Sequence, residues 1–261
     1  MDGSEEVASG HTTTDLFTHT FYYSSTESDA TRNYTVCYNP DELTTYWVAY
    51  PLSSNHINGS YKDSSWSYVD ESLLPQSNQV NIVGGSYKST YSRGHLVPNA
   101  SRTKSSEMNK QAFYTVNSVP QIQNSFNSGV WSALENALRS RVSSDGTLYI
   151  VTGTMCDQVN DGNGNFSPVS TKDQNDKTVP APRYFYKVVL KVDNANNPTS
   201  ASAIGFWYTN EAHTGNYYDA NYVKSVDQIE EWTGLDFFVN LPDSIENSAE
   251  SNTSWSTFQS F

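Results

Sequence analysis

Apolar residues along the chain recur in two patterns, one typical of buried strands and the other of a helix with one buried face. Short apolar or aromatic runs without polar alternation predict strands covered on both faces. These runs lie at residues 47–50, 112–116, 147–152, 184–190 and 203–208. Between residues 130 and 142, apolar side chains recur every three or four positions, which predicts a helix. A second helix is predicted from Ser225, with Gln228 as its capping-box partner, to Gly234.

Polar segments divide the chain. Residues 1–20 and 244–261 are rich in Ser, Asn and Glu, and we expect a loosely ordered N-terminal segment and a polar C-terminal tail around a single domain at 21–243. Residues 51–90 and 157–177 are rich in Ser, Asn and Gly and predict long loops. The second loop has residue types of a calcium loop, but a Glu at the twelfth EF-hand position is absent.

Composition narrows the class of protein. The chain has 261 residues, and no apolar run approaches the roughly 20 residues that span a bilayer. An apolar signal segment is also absent at the N-terminus, while the low count of 15 Lys and Arg resembles secreted bacterial proteins. We therefore expect a secreted, periplasmic or cell-surface protein whose signal sequence is removed from this chain. Cys37 and Cys156 fit either a disulfide or two buried thiols.

Positive charge is concentrated in one stretch of an acidic chain. The net charge is −13, yet residues 86–142 carry +5 and the remainder −18. The cations of this stretch are Lys88, Arg93, Arg102, Lys104, Lys110, Arg139 and Arg141. Because phosphate affinity depends on local cations, the stretch predicts a nucleic-acid contact that includes Arg102 and Lys104. A solvated basic face without function is the alternative interpretation.

Within this stretch, Arg93-Gly94-His95 places a guanidinium beside an imidazole. Hydrolysis of a phosphodiester requires an activated water and neutralisation of charge on the phosphate. His95 suits the first task as a general base, and Arg93 can hold phosphate through two parallel hydrogen bonds. By itself, a lone histidine of this kind is more often structural than catalytic.

A second group lies on and before the predicted helix. Asn127 offers an amide oxygen to a hard cation such as Mg²⁺, whose other positions water or phosphate can fill. Glu135 and Arg139 are four residues apart and therefore share one helix face. A helix cap and a surface ion pair are the structural alternatives for these residues.

In their order along the chain, these residues resemble the DNA/RNA non-specific endonucleases, a family that includes secreted bacterial sugar-non-specific nucleases and mitochondrial endonuclease G. The family patterns are D-R-G-H, N-x-x-P-Q and N-x-G-x-W, followed by Glu and Arg on one helix. The chain reads SRGH at 92–95, NSVPQ at 117–121 and NSGVW at 127–131, with Glu135 and Arg139 following. Ser92 departs from the pattern, because the family has Asp there.

The resemblance implies an α+β fold, with a central antiparallel sheet, flanking helices and a ββα-metal finger as the active site. It also implies hydrolysis of DNA, and of RNA as well, to products with a 5′-phosphate. His95 would be the general base, and Asn127 the protein ligand of Mg²⁺ or Mn²⁺. Glu135 would hold a metal-bound water, while Arg93 and Arg139 would steady the phosphate.

Other readings stay open at this stage. A phosphodiesterase of the same fold could act on small nucleotides. A non-enzymatic glycan-binding or adhesion protein would suit the Tyr, Trp and Asn content, but it leaves the order of the motifs unexplained. A homodimer is possible on the resemblance, and the sequence identifies no inhibitor protein.

Overall fold

Seven strands pair into one antiparallel sheet at the centre of the computed structural model, which describes residues 16–261 apart from the side chains at 144 and 145. The strands are β1 (Phe17–Tyr22), β2 (Arg32–Asn39), β3 (Thr44–Leu52), β4 (Tyr91–His95), β5 (Ser118–Ile122), β6 (Leu148–Met155), β7 (Val169–Lys172), β8 (Thr178–Ala181), β9 (Tyr184–Val192), β10 (Ala201–Thr209) and β11 (Val223–Lys224). The helices are α1 (Ser54–Ile57), α2 (Ser106–Gln111), α3 (Ser132–Asp145), α4 (Val226–Thr233), α5 (Asp243–Glu250) and α6 (Trp255–Ser260). The order in the central sheet is β1-β2-β3-β6-β9-β10-β11, while β4 pairs with β5 and β7 with β8 in separate two-stranded sheets.

Strand β9 explains why both faces of the central sheet are covered. Its residues are apolar or aromatic at nearly every position, and successive side chains point to opposite faces. Phe185 and Val189 join an apolar cluster that contains the buried side of α3. Tyr184 and Val188 join a second cluster, which contains residues of α4 and α5. Helix α3 therefore covers one face of the sheet, and α4 and α5 cover the other.

Most of the predicted elements are confirmed. The runs at 47–50, 147–152, 184–190 and 203–208 lie in β3, β6, β9 and β10, with β6 beginning one residue later than predicted. Helix α4 begins after Ser225, whose Oγ accepts a hydrogen bond from the backbone N–H of Gln228 at 3.1 Å. It ends at Gly234, which adopts the left-handed conformation that favours glycine. The predicted helix at 130–142 corresponds to α3, preceded by an interrupted π-helical segment at Gln123–Trp131, in which Asn124, Ser125 and Gly129 have non-helical backbone angles.

The strand predicted at 112–116 is wrong. Helix α2 ends at Gln111, a 3₁₀ turn covers Thr115–Asn117, and the strand begins only at Ser118. The side-chain amide of Asn117 donates to the carbonyl oxygens of Val97 and Ala112. The strand-like pairing of this run is limited to one bridge, in which the backbone of Phe113 and Thr115 bonds to that of Ser67. The apolar residues of this run are buried by tertiary packing, which an apolar pattern alone does not distinguish from a strand.

Both polar ends differ from expectation where the structure describes them. Strand β1 begins at Phe17 and pairs with β2, inside the segment expected to be loose; residues 1–15 lie outside the described residues. Residues 244–261 include most of α5 and all of α6, and Trp255 and Phe258 are buried in the core cluster beneath α3. The apolar residues among the polar ones therefore tie this end to the core. The single domain at 21–243 stays a prediction.

The loops agree with their composition. After β3 ends at Leu52, residues 53–90 contain the short helix α1 and a 3₁₀ turn at Gln76–Asn78 but no further strand, and β7 interrupts the loop at 157–177. Cys37 and Cys156 are both thiols, which decides between the two alternatives for them. Among residues 16–261, the helices are all too short or too polar to span a bilayer.

The buried C-terminal helix leads to a stability prediction. Phe258 has no exposed surface and stacks on Trp255 with ring centroids 5.5 Å apart. We expect Phe258→Ala to lower the free energy of unfolding by about 3–5 kcal/mol, because it leaves a cavity in the core. The exposed neighbour Gln259→Ala is the matched control and should change stability by less than about 0.5 kcal/mol. Equal stability of the two variants in denaturant unfolding would show that α6 behaves as a tail.

Candidate active site

The paired strands β4 and β5 carry the first group of predicted site residues. Their register places Arg93 opposite Pro120 and His95 opposite Ser118. Gly94 lies between them against the Gln121 side chain, where an added Cβ would come within 2.6 Å of the Gln121 Cβ. Only glycine fits this approach, so the glycine of the motif allows β4 and β5 to pair closely under the site. The π-helical segment and α3 follow β5, which completes a ββα arrangement.

His95 lies in an aromatic cage. Its ring stacks at a tilt on Trp66 at 4.6 Å and meets Phe113 edge-on at 4.8 Å. The ring as a whole is partly exposed, but Nε2 is buried and has no hydrogen-bond partner within residues 16–261. Burial, and then the nearby charge of Arg93, lower the pKa of His95 to about 4. The imidazole is therefore neutral at neutral pH, which is the form that can accept a proton.

Arg93 is held beside the same indole. Its guanidinium lies 5.6 Å from the Trp66 ring centroid, within the range of a cation–π contact. Nη1 donates to the carbonyl oxygens of Ile82 and Gly85 at 3.3 and 3.1 Å. These contacts use one of the three nitrogens of the guanidinium. Trp66 therefore positions both the imidazole and the guanidinium of the motif.

Asn127 is tied to β4 through Ser92. Its amide nitrogen donates to Gln123 Oε1 at 3.0 Å and to Ser92 Oγ at 3.3 Å. The Ser92 hydroxyl in turn donates to the carbonyl oxygen of Gln121 at 2.9 Å. With the nitrogen used in this way, Oδ1 is left without a hydrogen bond from any described residue. An amide oxygen fixed and unpaired in this manner fits a hard, oxygen-binding cation.

Glu135 of α3 faces a buried lysine on the sheet. Lys187 has no exposed surface, because it shares the face of β9 that α3 covers. Its Nζ donates to Thr152 Oγ1 and to the Tyr50 hydroxyl and lies 4.6 Å from the Trp131 ring centroid. Burial raises the pKa of Glu135, while the charges of Lys187 and Arg139 lower it. Burial likewise lowers the pKa of Lys187, and Glu135 opposes this shift.

The two remaining arginines differ in their accessibility. Arg139 is partly exposed on α3 and donates from Nη1 to Ser101 Oγ at 3.2 Å. Arg102 has no exposed surface, and it donates to the carbonyl oxygens of Ser101, Asn33 and Pro51. Its guanidinium also covers the Tyr50 ring at 4.9 Å. The prediction that Arg102 contacts substrate is therefore corrected: this side chain joins the core strands and cannot reach a phosphate from there.

The basic stretch is accordingly less extensive on the surface than its charge suggests. Lys88 pairs with Asp176, an acidic residue of the remainder, and Arg141 donates to the Gln259 carbonyl oxygen at 2.7 Å. Lys104 and Lys110 are exposed and stay available to phosphate. The cations nearest to the site are therefore Arg93 and Arg139, with Lys104 and Lys110 around α2.

Three residues of the site are not identified as such from sequence. The sequence does indicate Lys187, since a lone lysine in the apolar run at 184–190 needs a buried counter-charge. It also indicates Ser92, because this residue departs from the family pattern. Trp66 lies in a polar loop about 30 residues before the motif it supports, and no local pattern links the two.

The comparison with known families agrees with this arrangement. The family model for DNA/RNA non-specific endonucleases matches residues 12–244, which is most of the chain. The chain belongs to this family, and it is a nuclease, a hydrolase of phosphodiester bonds. This membership sets aside the reading as a non-enzymatic glycan-binding or adhesion protein.

Named relatives come from bacteria and from mitochondria. A nuclease of Nostoc sp. is 30% identical over 225 residues, which covers 84% of this chain and 75% of that protein. The nuclease of Serratia marcescens is 25% identical over 232 residues, which covers 87% of this chain and 81% of that protein. The mitochondrial nuclease EXOG of Homo sapiens is 26% identical over 85% of this chain but only 59% of that protein, so this chain spans less than two thirds of it.

A solved structure confirms the expected fold. EndoG, in the crystal structure of its complex with EndoGI, superposes with a TM-score of 0.62 at 20% identity, covering 86% of this chain and 89% of that one. The α+β class with a central antiparallel sheet is therefore shared.

The pair of buried charges gives a prediction on stability. Lys187→Met should lower the free energy of unfolding by about 3 kcal/mol, because it removes a positive charge that opposes the desolvation of the half-buried Glu135. The double variant Lys187→Met/Glu135→Gln should recover at least half of this loss. Denaturant unfolding of both variants measures the coupling, with the exposed Lys172→Met as control. Simple additivity of the two substitutions would show that the charges do not act as a pair.

Proposed function

We propose that this nuclease cleaves DNA and RNA without base specificity, with His95 as general base and a magnesium or manganese ion held by Asn127. The proposal rests on one observation: strand β4 carries both a candidate base and the residue that orients a candidate metal ligand. The neutral imidazole of His95 and the hydroxyl that orients Asn127 both belong to β4. The base therefore belongs to β4, and the cation ligand Asn127 is tied to the same strand through Ser92.

His95 takes the proton of the attacking water in this mechanism. Its low pKa keeps it unprotonated before substrate binds. A phosphate entering beside Arg93 adds negative charge, which opposes the effect of the guanidinium and raises the affinity of the imidazole for a proton. The base therefore becomes stronger when substrate is present. Trp66 and Phe113 hold the ring in place and exclude water from its buried edge.

A bound cation would neutralise charge on the phosphate oxygens and assist the leaving oxygen. Asn127 would hold it directly through Oδ1, and Glu135 through a water. Lys187 and Arg139 favour the ionised form of Glu135, because their charges oppose the rise in the pKa of that carboxyl that burial causes. Arg139 donates from Nη1 to Ser101 and from Nη2 to Asn136, and these bonds hold its positive charge where it would face the charge that develops on the phosphate. Cleavage of the P–O3′ bond leaves the phosphate on the 5′ oxygen, so the products carry a 5′-phosphate.

Substrate binding rests on phosphate contacts. Arg93, Arg139 and the exposed Lys104 can bind phosphates, and the short helix α2 offers no extended surface for reading bases in a groove. The acidic remainder of the chain repels nucleic acid elsewhere, so productive contacts are concentrated at the site. We also propose secretion or a cell-surface location, on the composition of the chain and its bacterial relatives. A homodimer stays a prediction.

The first prediction concerns the base. His95→Ala should lower kcat on plasmid DNA by about 10²–10⁴-fold, as is usual when a general base is lost. Thermal stability and DNA binding should change little, and His19→Ala, on the edge strand β1, should cleave normally. In the unsubstituted enzyme, the acid limb of kcat/KM should lie below the ordinary histidine pKa of about 6.5. Near-normal turnover of His95→Ala would refute the assignment, and cleavage of a small chromogenic diester but not of plasmid would favour the small-substrate alternative.

The second prediction concerns the cation. Excess EDTA should abolish cleavage, and Asn127→Ala should weaken Mg²⁺ binding in calorimetry because it removes the direct oxygen ligand. Ser92→Ala should have a smaller effect, since Gln123 still holds the amide nitrogen. Glu135→Ala should cost about 10–100-fold, as expected of a residue that acts through a bound water. The exposed Asn124→Ala in the same segment is the control. Unchanged Mg²⁺ affinity in Asn127→Ala would exclude this ligand.

A further inference from the structure

A cluster of carboxylates lies on the face of the central sheet opposite to α3. Asp227 and Glu230 belong to α4, and Glu250 is the last residue of α5. One oxygen of each residue lies within 4.8 Å of the others. The residues of α4 and α5 pack in the second apolar cluster, away from Asn127 and Glu135, so this group has no part in the nuclease site.

The carboxylate of Glu250 is the most constrained of the three. Its side chain is only 4% exposed, and Oε1 is buried without a hydrogen-bond donor in the part of the chain that the structure describes. The neighbouring Glu246 Oε1 is buried and without a donor in the same way. A buried carboxylate without a partner is costly, and the negative end of the helix dipole at the last residue of α5 adds to the cost. The position calls for a positive partner.

Among residues 16–261, the charged groups that act on Glu250 do not include a positive partner. Besides burial, the influences that raise the pKa of Glu250 to about 8 are all carboxylates, namely Glu230, Glu246, Asp227 and Asp236. Burial and three of these neighbours likewise raise the pKa of Glu230 to about 7. Only the backbone N–H of Phe237 opposes the shift, by donating to Glu230 at 2.7 Å. The cluster thus brings together carboxyl groups that would repel one another when ionised, in a partly dry site.

We propose that Asp227, Glu230 and Glu250 bind one divalent cation of calcium size, which joins α4 to α5. Calcium takes oxygen ligands at about 2.3–2.6 Å, so two oxygens on one ion lie up to about 5.2 Å apart. The three carboxylate oxygens meet this limit, because they lie within 4.8 Å of one another. Magnesium, at about 2.1 Å, requires a tighter and octahedral set. Asp227 is exposed and gives the ion a route from solvent, while Glu250 closes the inner side. The cation stabilises the fold and takes no part in cleavage.

The test uses the full chain carrying Asn127→Ala, so that calcium cannot act through the nuclease site. After removal of metals with EDTA, calcium is titrated to about 1 mM, in the range of extracellular calcium modules, and Tm is measured by calorimetry. At about tenfold excess over Kd, Tm should rise by roughly 3–6 °C. The same rise should occur with Glu231→Gln, an exposed carboxylate of α4 outside the cluster.

Glu250→Gln should lose the response to calcium, and Asp227→Asn should reduce it. In EDTA, Glu250→Gln should melt at or above the Tm of its parent, because it removes one uncompensated charge; a lost response is then not a sign of misfolding. Glu250→Gln in the otherwise unsubstituted chain should still cleave plasmid with magnesium at the normal rate. The proposal is overturned if calcium leaves Tm unchanged, if Glu250→Gln responds like its parent, or if acidification alone stabilises the protein, which would mean that the carboxylates share protons.

Discussion

The buried ammonium of Lys187 is the constraint around which the centre of this protein is arranged. An ion taken out of water costs several kcal/mol unless charges and hydrogen bonds replace its solvent. Here a hydroxyl pair, an aromatic face and the carboxylate of Glu135 supply them from the sheet and from α3. The requirement fixes the rotation of α3 about its axis, because Glu135 must face the sheet. It therefore also fixes the direction in which Arg139 emerges one turn later.

The two halves of the site use burial in opposite ways. On β4, burial keeps His95 neutral and so preserves its capacity to accept a proton. On α3, burial raises the pKa of Glu135, and the charges of Lys187 and Arg139 oppose this rise. The two groups therefore differ in their surroundings: nearby cations oppose the effect of burial on Glu135, whereas Arg93 adds to the effect of burial on His95. Replacement of Trp66 would disturb the first arrangement without touching the second.

The sequence predicts the elements whose pattern is set locally and misses those decided by distant contacts. The strands of the central sheet are visible as apolar runs because both faces are covered, and α4 is visible through its cap and its terminal glycine. The run at 112–116 is equally apolar, but the side chain of Asn117 binds its first carbonyl oxygen and a single bridge to Ser67 takes the place of a strand, which no periodicity reveals. The motifs place His95, Asn127 and Glu135 correctly in order along the chain. They do not show that Arg102 is buried or that Trp66 lies against His95, since both facts depend on segments far apart in sequence.

Strands β3 and β6 are neighbours in the sheet, and the residues proposed for catalysis all lie in the chain between them. The site is thus built on a single connecting segment, residues 53–147, which runs from the end of β3 to the start of the adjacent β6. Closing so long a loop is slow, so pairing of β3 with β6 should come late in folding. Contacts between distant segments nevertheless join this segment to the sheet: Arg102 donates to carbonyl oxygens of β2 and β3, and the charge of Lys187 on β9 acts on Glu135 of α3. Substitutions at these points therefore affect the sheet and the site together.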